Sequence, residues 1–325
     1  MSSASERDPA DWLVSVRDQR GPKFLCGQRG CGKTAALLRA RDLLAALDRE
    51  SASVFIDAES APMRRLQACD ELIDQIREIR RGRRGVNVFL REAWHLPDAE
   101  TLLGYLAAHR DYRVFASVSS RRVFDERLRQ YFDEHLLSRQ LAPPYAPAEP
   151  GADELAEARR RWDRIMLYDI IGESGVGDAA LLHRLACNLS DSTGEAITLR
   201  KVSAAISPRC RSVSPHTIEE YLRALENAFV IERCERLSDA YRGARYVRGY
   251  WYFFTDELLR RANFAVDDGR EARRRMLTST WQRLRRDYGR VCLPGFEFEG
   301  ADFVTGDGAS CRFWRATASG PEPVA

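Results

Sequence analysis

Lysine is nearly absent from this chain. Of its 51 basic residues only Lys23, Lys33 and Lys201 are lysine, and the other 48 are arginine. A generic cation here is therefore an arginine, which weakens arguments from arginine clusters and gives meaning to a lysine standing in a defined pattern. Cysteine pairs are missing too: Cys26, Cys31, Cys69, Cys187, Cys210, Cys234, Cys292 and Cys311 form no Cys-x-x-Cys, and the five histidines no His-x-x-x-His. Neither a zinc site nor a secreted disulfide framework is expected, and the cysteines read as reduced thiols. No apolar run is long enough to cross a bilayer. Met1 to Asp18 is polar and lacks the apolar core and cleavage site of an export signal, so the expected location is the cytoplasm, with no membrane partner.

What is there fits a globular protein of two or three packed units: 325 residues, 44% hydrophobic and 30% charged, with a formal charge of +3. Short apolar runs alternate with helical periodicity. Lys23 to Cys26, Ser53 to Ile56, Val86 to Leu90 and Arg113 to Val118 read as strands. Lys33 to Leu47, Ala61 to Ile79, Asp98 to His109 and Arg121 to Leu137 read as helices. Strands separated by helices imply an α/β fold with a parallel sheet flanked by helices and ligands at the strands' carboxyl ends. Pro143, Pro144, Pro147 and Pro150, followed by Gly151, interrupt the pattern and mark a linker over residues 143–151. Beyond it helices dominate: Asp153 to Ile171, Asp178 to Ser190, Leu199 to Ala205, and Pro215 to Ala228 with a Ser214 cap. With a returning strand at Tyr246 to Phe254, residues 152–261 read as a winged-helix-like unit. Residues 262–325 read as a small α/β tail, with an arginine-rich helix through Tyr288 and short strands at Arg290 to Leu293, Asp302 to Val304 and Cys311 to Ala316.

Gly27-Gln28-Arg29-Gly30-Cys31-Gly32-Lys33-Thr34 satisfies G-x-x-x-x-G-K-[ST] and lies between a strand and a helix, where its mechanism requires it. The glycines let backbone N–H groups surround phosphates, the helix N-terminus adds partial positive charge, and Lys33 reaches the β and γ oxygens. Thr34 would hold magnesium through its hydroxyl. ATP is thus the expected ligand, against the bland reading of a glycine-rich turn.

With Val54-Phe55-Ile56-Asp57-Ala58-Glu59, the Val86 to Glu92 strand and the Ser117-Val118-Ser119-Ser120 turn, the chain resembles a prokaryotic AAA-type ATPase family. That family joins a P-loop domain, here residues 1–142, to an uncharacterised C-terminal domain. Arg164-Ile165-Met166-Leu167-Tyr168-Asp169-Ile170 and Trp251-Tyr252-Phe253-Phe254-Thr255-Asp256 extend the resemblance after the linker. It implies a winged helix and a restriction-endonuclease-like tail. In the family the third strand ends in an Asp-Glu pair. Here Arg91 stands in place of the magnesium-side aspartate, and Glu92 alone is left to position water as the catalytic carboxylate. Ser120 takes the place of the polar sensor. Arg129 and Arg139 are misplaced as counterparts of the arginine offered to a neighbouring subunit.

A guanidinium cannot ligate a cation, so Arg91 makes magnesium doubtful. Two readings stay open: Arg91 neutralises phosphate directly, or it snorkels outward while Asp57 or Glu59 helps the metal. Binding with slow turnover is the expectation, as a nucleotide-dependent switch or weak ATPase. The alternative is a catalytically silent DNA- or protein-binding module. The tail has Ala301 before Asp302, and Phe313-Trp314-Arg315 lacks Glu-x-Lys, so nuclease activity is not expected. Arg270 to Arg290 carries eight arginines against Glu271 and Asp287, which suits phosphate contacts or a solvated helix face. Glu219, Glu220 and Glu226 on the candidate recognition helix disfavour the major groove and point to a protein partner. Self-association is left open.

Overall fold

The computed structural model describes residues 8–128, 137–207, 213–234, 250–289, 291–293, 303–305, 310–311, 314–317 and 320–323. They divide into two units, 1–143 and 144–325, each described by itself.

The first unit is built on β1 (Lys23–Cys26), β2 (Ala52–Asp57), β3 (Val86–Arg91), β4 (Tyr112–Val118) and β5 (Leu137–Gln140). All pair in parallel, in the order β2-β3-β4-β1-β5. β1 is buried along its length and β3 over five of its six residues, as expected of strands covered on both faces. Helices α1 (Pro9–Ser15), α2 (Lys33–Leu47), α3 (Ala61–Arg64), α4 (Asp70–Arg80) and α5 (Ala99–Ala108) flank the sheet. Leu13 of α1 and Leu37, Ala40 and Leu44 of α2 share one core with Leu25, Phe89 and Phe115 of the strands. The rings of Phe89 and Phe115 stack at 4.9 Å.

Two helices expected from periodicity are corrected. Ala61 to Ile79 is two helices, because the Cys69 thiol is buried and donates to Pro97 O (2.7 Å), fixing the chain between them. Asp70 and Glu71 then open a new first turn with charges suited to a helix N-terminus. Arg121 to Leu137 is not a regular helix over its described part. Val123–Leu128 winds as a wide π-helical turn, and Leu137 begins the fifth strand, whose ladder with β1 supplies the backbone partners. Residues 129–136, Arg129 among them, lie outside the described residues.

In the second unit α6 (Ala152–Arg164) runs on through a π-helical stretch, Ile165–Ile171, and a last turn, Gly172–Ser174. Next come α7 (Ala179–Asp191), α8 (Leu199–Ile206) and α9 (Pro215–Asn227), then antiparallel strands β6 (Ile231–Cys234) and β7 (Trp251–Phe254). Ser214 caps α9, its Oγ accepting from Thr217 N at 3.0 Å. Ile197 pairs with Tyr250 as an isolated bridge. The helix expected from Ala262 to Tyr288 is instead α10 (Glu257–Phe264) and α11 (Glu271–Tyr288). Asp256 starts α10 by accepting from Leu259 N (3.0 Å). Gly269, in the left-handed region at φ 75°, breaks the path before α11.

Trp162 meets Phe264 edge to face at 4.9 Å in the core shared by α6 to α10. α11 lays Leu277, Trp281 and Leu284 against Phe253, Val291 and Phe303. The short strands β8 (Val291–Cys292), β9 (Phe303–Thr305) and β10 (Ser310–Cys311) form an antiparallel sheet, and β11 (Trp314–Thr317) pairs with β12 (Gly320–Pro323). Arg290, Ala301, Asp302 and Phe313 lie outside the described residues.

Candidate functional site

The loop from Gly27 to Gly32 leaves the carboxyl end of β1 between the ends of β4 and β5. Gly27 N donates to Val118 O at 3.2 Å, and Leu141 N to Cys26 O at 2.7 Å. Gly27 has φ 146°, and a Cβ there would stand 2.4 Å from Leu141 O, so only glycine fits. Gly30 (φ 84°) and Gly32 (φ 100°) also take left-handed backbone, and with no Cβ they turn the chain sharply into α2. Gly32 offers no side-chain cap to that helix, which leaves its first N–H groups available to an anion.

Lys33 is the first residue of α2 and only 4% exposed. Its Nζ donates to Gly27 O (2.7 Å), Gln28 O (3.0 Å) and Ser119 Oγ (2.9 Å), and lies 3.8 Å from Glu92 Oε1. Glu92 follows β3 in the left-handed region, at φ 52°. There its N donates to Ser117 Oγ (3.1 Å), while its carboxylate accepts from Ser119 N (3.0 Å) and Ser119 Oγ (2.8 Å). Lys33, Ser119 and Glu92 thus form one chain of charge-assisted hydrogen bonds. Gln28 is 1% exposed, and its amide nitrogen and oxygen have no hydrogen-bond partner among the described residues. A buried amide left in that state costs about 1–3 kcal/mol, which a ligand or ordered water recovers.

A second cluster adjoins the first through Arg29 and Arg91. Arg91 Nη1 donates to Asp57 Oδ1 (2.8 Å) and Oδ2 (2.7 Å), and its Nη2 to Glu59 Oε2 (2.7 Å). Arg29, within the loop, donates to the same Glu59 at 3.0 and 2.8 Å. His95 Nε2 lies 3.5 Å from Glu59 Oε1. Burial by itself would raise the pKa of Glu59. The bonds and charges of Arg29, Arg91 and His95 outweigh it and hold the carboxyl below the usual glutamate value. The Arg91 guanidinium turns onto Asp57 and Glu59, the very carboxylates that would have helped a metal.

The structure brings Gly27, Gln28, Arg29, Gly30, Cys31, Gly32, Lys33 and Glu92 together at one end of the sheet, with Thr34 half-buried on the first turn of α2. Ser120 does not join Lys33. It is buried and its Oγ accepts from Val123 N at 3.3 Å, starting the turn that follows β4. The hydroxyl on Lys33 is that of Ser119, missed because serines at 117, 119 and 120 do not say which one faces inward. Among the described residues no group of three or more histidines, cysteines and acids is placed to hold a metal ion.

Several arginines of the clusters are engaged. Arg80 pairs with Asp111 at 2.8 Å and Arg81 with Glu78 at 2.9 Å. On α11, Arg274 is buried against Asp268 (2.8 Å), Arg285 pairs with Glu232 (2.7 Å), and Arg286 lies 3.9 Å over the Tyr145 ring. The exposed face of α9 carries Glu219 and Glu220, paired with Arg223 and His216.

Residues 19–144 match the family model described as an AAA domain, and residues 145–268 match a domain of unknown function, DUF8612. An uncharacterized protein of Haemophilus influenzae is 31% identical over 144 residues, which are 44% of this chain and 35% of that protein. The match therefore spans about a third of the relative's length. Among solved structures, AMPPCP-bound DnaA from Aquifex aeolicus is similar at TM-score 0.33 and 13% identity, over 67% of this chain and 85% of that one. Cdc6p from Pyrobaculum aerophilum gives 0.33 and 14% over 83% and 92%. The RuvB Holliday junction branch migration motor of Thermotoga maritima gives 0.34 and 13% over 82% and 96%. Scores this low carry neither fold nor function to this chain. The AAA-domain match, on a parallel sheet whose first strand leads into G-x-x-x-x-G-K-T, supports a P-loop domain of the AAA type in residues 19–144.

Proposed function

We propose that the chain binds ATP at Gly27 to Thr34 and acts as a nucleotide-dependent switch with slow turnover. The observation that carries this reading is Lys33. It is buried at the start of α2 with three hydrogen bonds, two of them to carbonyls of its own loop. A lysine so placed is held in reserve for an anion arriving at the loop, and the unpartnered amide of Gln28 sits in the same turn. In this reading Gly27 to Gly32 wrap the phosphates, Lys33 meets the β and γ oxygens, and Glu92 is the carboxylate available to position water. Two features slow the chemistry. Both carboxylate oxygens of Glu92 are taken by Ser119, and Arg91 occupies the place of a magnesium-side carboxylate. The test is titration of a labelled ATP analogue into wild type and Lys33→Ala. Saturable binding that weakens by about tenfold or more in the variant, about 1.4 kcal/mol, supports the reading. No saturable binding by wild type at millimolar ATP defeats it.

For residues 152–261, read as winged-helix-like, the partner we propose is a protein. Exposed Glu219 and Glu220 on α9 would oppose DNA phosphates. Salt-independent failure to shift a DNA duplex agrees with this, and salt-sensitive binding to DNA overturns it.

A further inference from the structure

The magnesium ion that a P-loop domain ordinarily uses does not fit the donor set of this site. A ligand for a hard cation must offer oxygen lone pairs, and a guanidinium offers none. Arg91 presents a guanidinium at the end of β3, and it has both oxygens of Asp57 and one of Glu59 in its grip. Glu59 is further bound by Arg29 through both its oxygens. A divalent cation entering here would have to break these charge-assisted bonds and strand two guanidiniums. The charges already balance, two carboxylates against two arginines.

The same cluster is suited to a polyanion. Arg29 belongs to the phosphate loop itself, between Gln28 and Gly30. Arg91 immediately precedes Glu92, whose carboxylate lies 3.8 Å from Lys33 Nζ. Both are forks of donors that match phosphate oxygens as well as carboxylates. Glu59, shared by the two, holds them close together and competes with phosphate for their donors, so moving them onto phosphate exchanges one anionic acceptor for another.

We propose that Arg29 and Arg91, bridged by Glu59, take the place of the divalent cation, and that the ligand of this site is a metal-free nucleoside triphosphate. The inference rests on the nucleotide reading above. Metal and guanidiniums compete for Asp57 and Glu59, so magnesium gives no help to binding. Replacing Arg91 by an acid releases Asp57, leaves Glu59 to Arg29 alone and adds a third carboxylate to the cluster, which should restore the use of metal.

The experiment titrates labelled ATP into the full chain in EDTA and in millimolar magnesium. Wild-type affinity should agree within about threefold between the two conditions. Arg91→Asp should bind at least about tenfold more tightly with magnesium than without it. Glu59→Gln, which leaves the guanidiniums without an anionic bridge, should tighten metal-free ATP binding severalfold. Wild-type binding that weakens tenfold or more in EDTA, while Lys33→Ala abolishes it, overturns this inference and leaves the nucleotide reading standing. Absence of wild-type binding in both conditions defeats the two together.

Discussion

Arg260 offers the sharpest test of what holds the second unit together. Its side chain is fully buried, and Glu257, beside it on α10, is 1% exposed. The guanidinium donates to Glu257 at 2.8 and 2.7 Å, to Glu271 of α11 at 3.1 and 2.5 Å, and to Ser190 Oγ of α7 at 3.0 Å. Burial alone would lower the pKa of Arg260, but the two carboxylates outweigh it and keep the group charged. Arg260→Met keeps much of the apolar stem and removes the charge, leaving Glu257 buried without its partner. Breaking a buried pair in this way costs about 3–5 kcal/mol. With a urea slope of about 2 kcal/mol per molar, the unfolding midpoint should fall by about 2 M. Replacing Arg260, Glu257 and Glu271 together by Met or Leu removes the stranded charges and should recover most of the loss. The assay is urea unfolding followed by far-ultraviolet circular dichroism and tryptophan emission. If Arg260→Met stays within about 1 kcal/mol of wild type, or the triple variant is as damaged as the single one, desolvated charge is not what these contacts control.

Gly27→Ala should destabilise the first unit by about 1–3 kcal/mol or more, because its Cβ would meet Leu141 O at 2.4 Å. Gly32→Ala, with open space around its Cβ, should cost only the backbone strain, so equal melting temperatures for the two would refute the clash. Burial, only partly offset by Asp18, lowers the pKa of Lys23 from 10.5 to about 8. The folded state therefore sheds this proton first, and stability should rise as pH goes from about 8 to about 10.5. That rise should be smaller in Lys23→Met, and identical pH profiles of wild type and variant would count against the buried charge. Wild type should turn over ATP well below about 1 per second, measured by phosphate release. The full chain incubated with plasmid and a divalent metal should leave the DNA intact, and nicking that disappears in Asp302→Ala would contradict the incomplete acidic set of the tail.

The phosphate loop was legible because its information is local: glycines at turns, a lysine where the chain otherwise spends arginine, an apolar strand before and a helix after. β1 to β4 were legible for the same reason, each carrying a short apolar run between helical stretches. β5 was not, because Leu-Ser-Arg-Gln has no apolar pattern and becomes a strand only through its ladder with β1. The breaks in the helices around Cys69 and Gly269 depend on a thiol reaching Pro97 and on a left-handed turn, neither of which periodicity registers. At the site, the replacement of an aspartate by Arg91 could be seen in the sequence, but its consequence could not. The register that sets Asp57 beside Arg91 across β2 and β3 and the reach of Arg29 to Glu59 belong to tertiary structure.

The π-helical stretch in the helix that begins at Ala152 sets the helix's phase. A turn closed by i to i+5 bonds holds about one residue more than an α-helical turn, so the faces before and after it are offset by roughly 100°. Ile165 and Ile170 are both buried, whereas Leu167 is 57% and Tyr168 43% exposed; five residues apart, the two isoleucines would stand about 140° apart on a uniform 3.6-residue repeat, and the wider turn brings them nearer to one face. A homologue one residue shorter between Arg164 and Gly172 would carry an unbroken α-helix. In an alignment the deletion would look like damage to a core helix, yet it would leave the residues before it in place and restore an ordinary repeat, with Leu167 or Tyr168 as the position most easily given up.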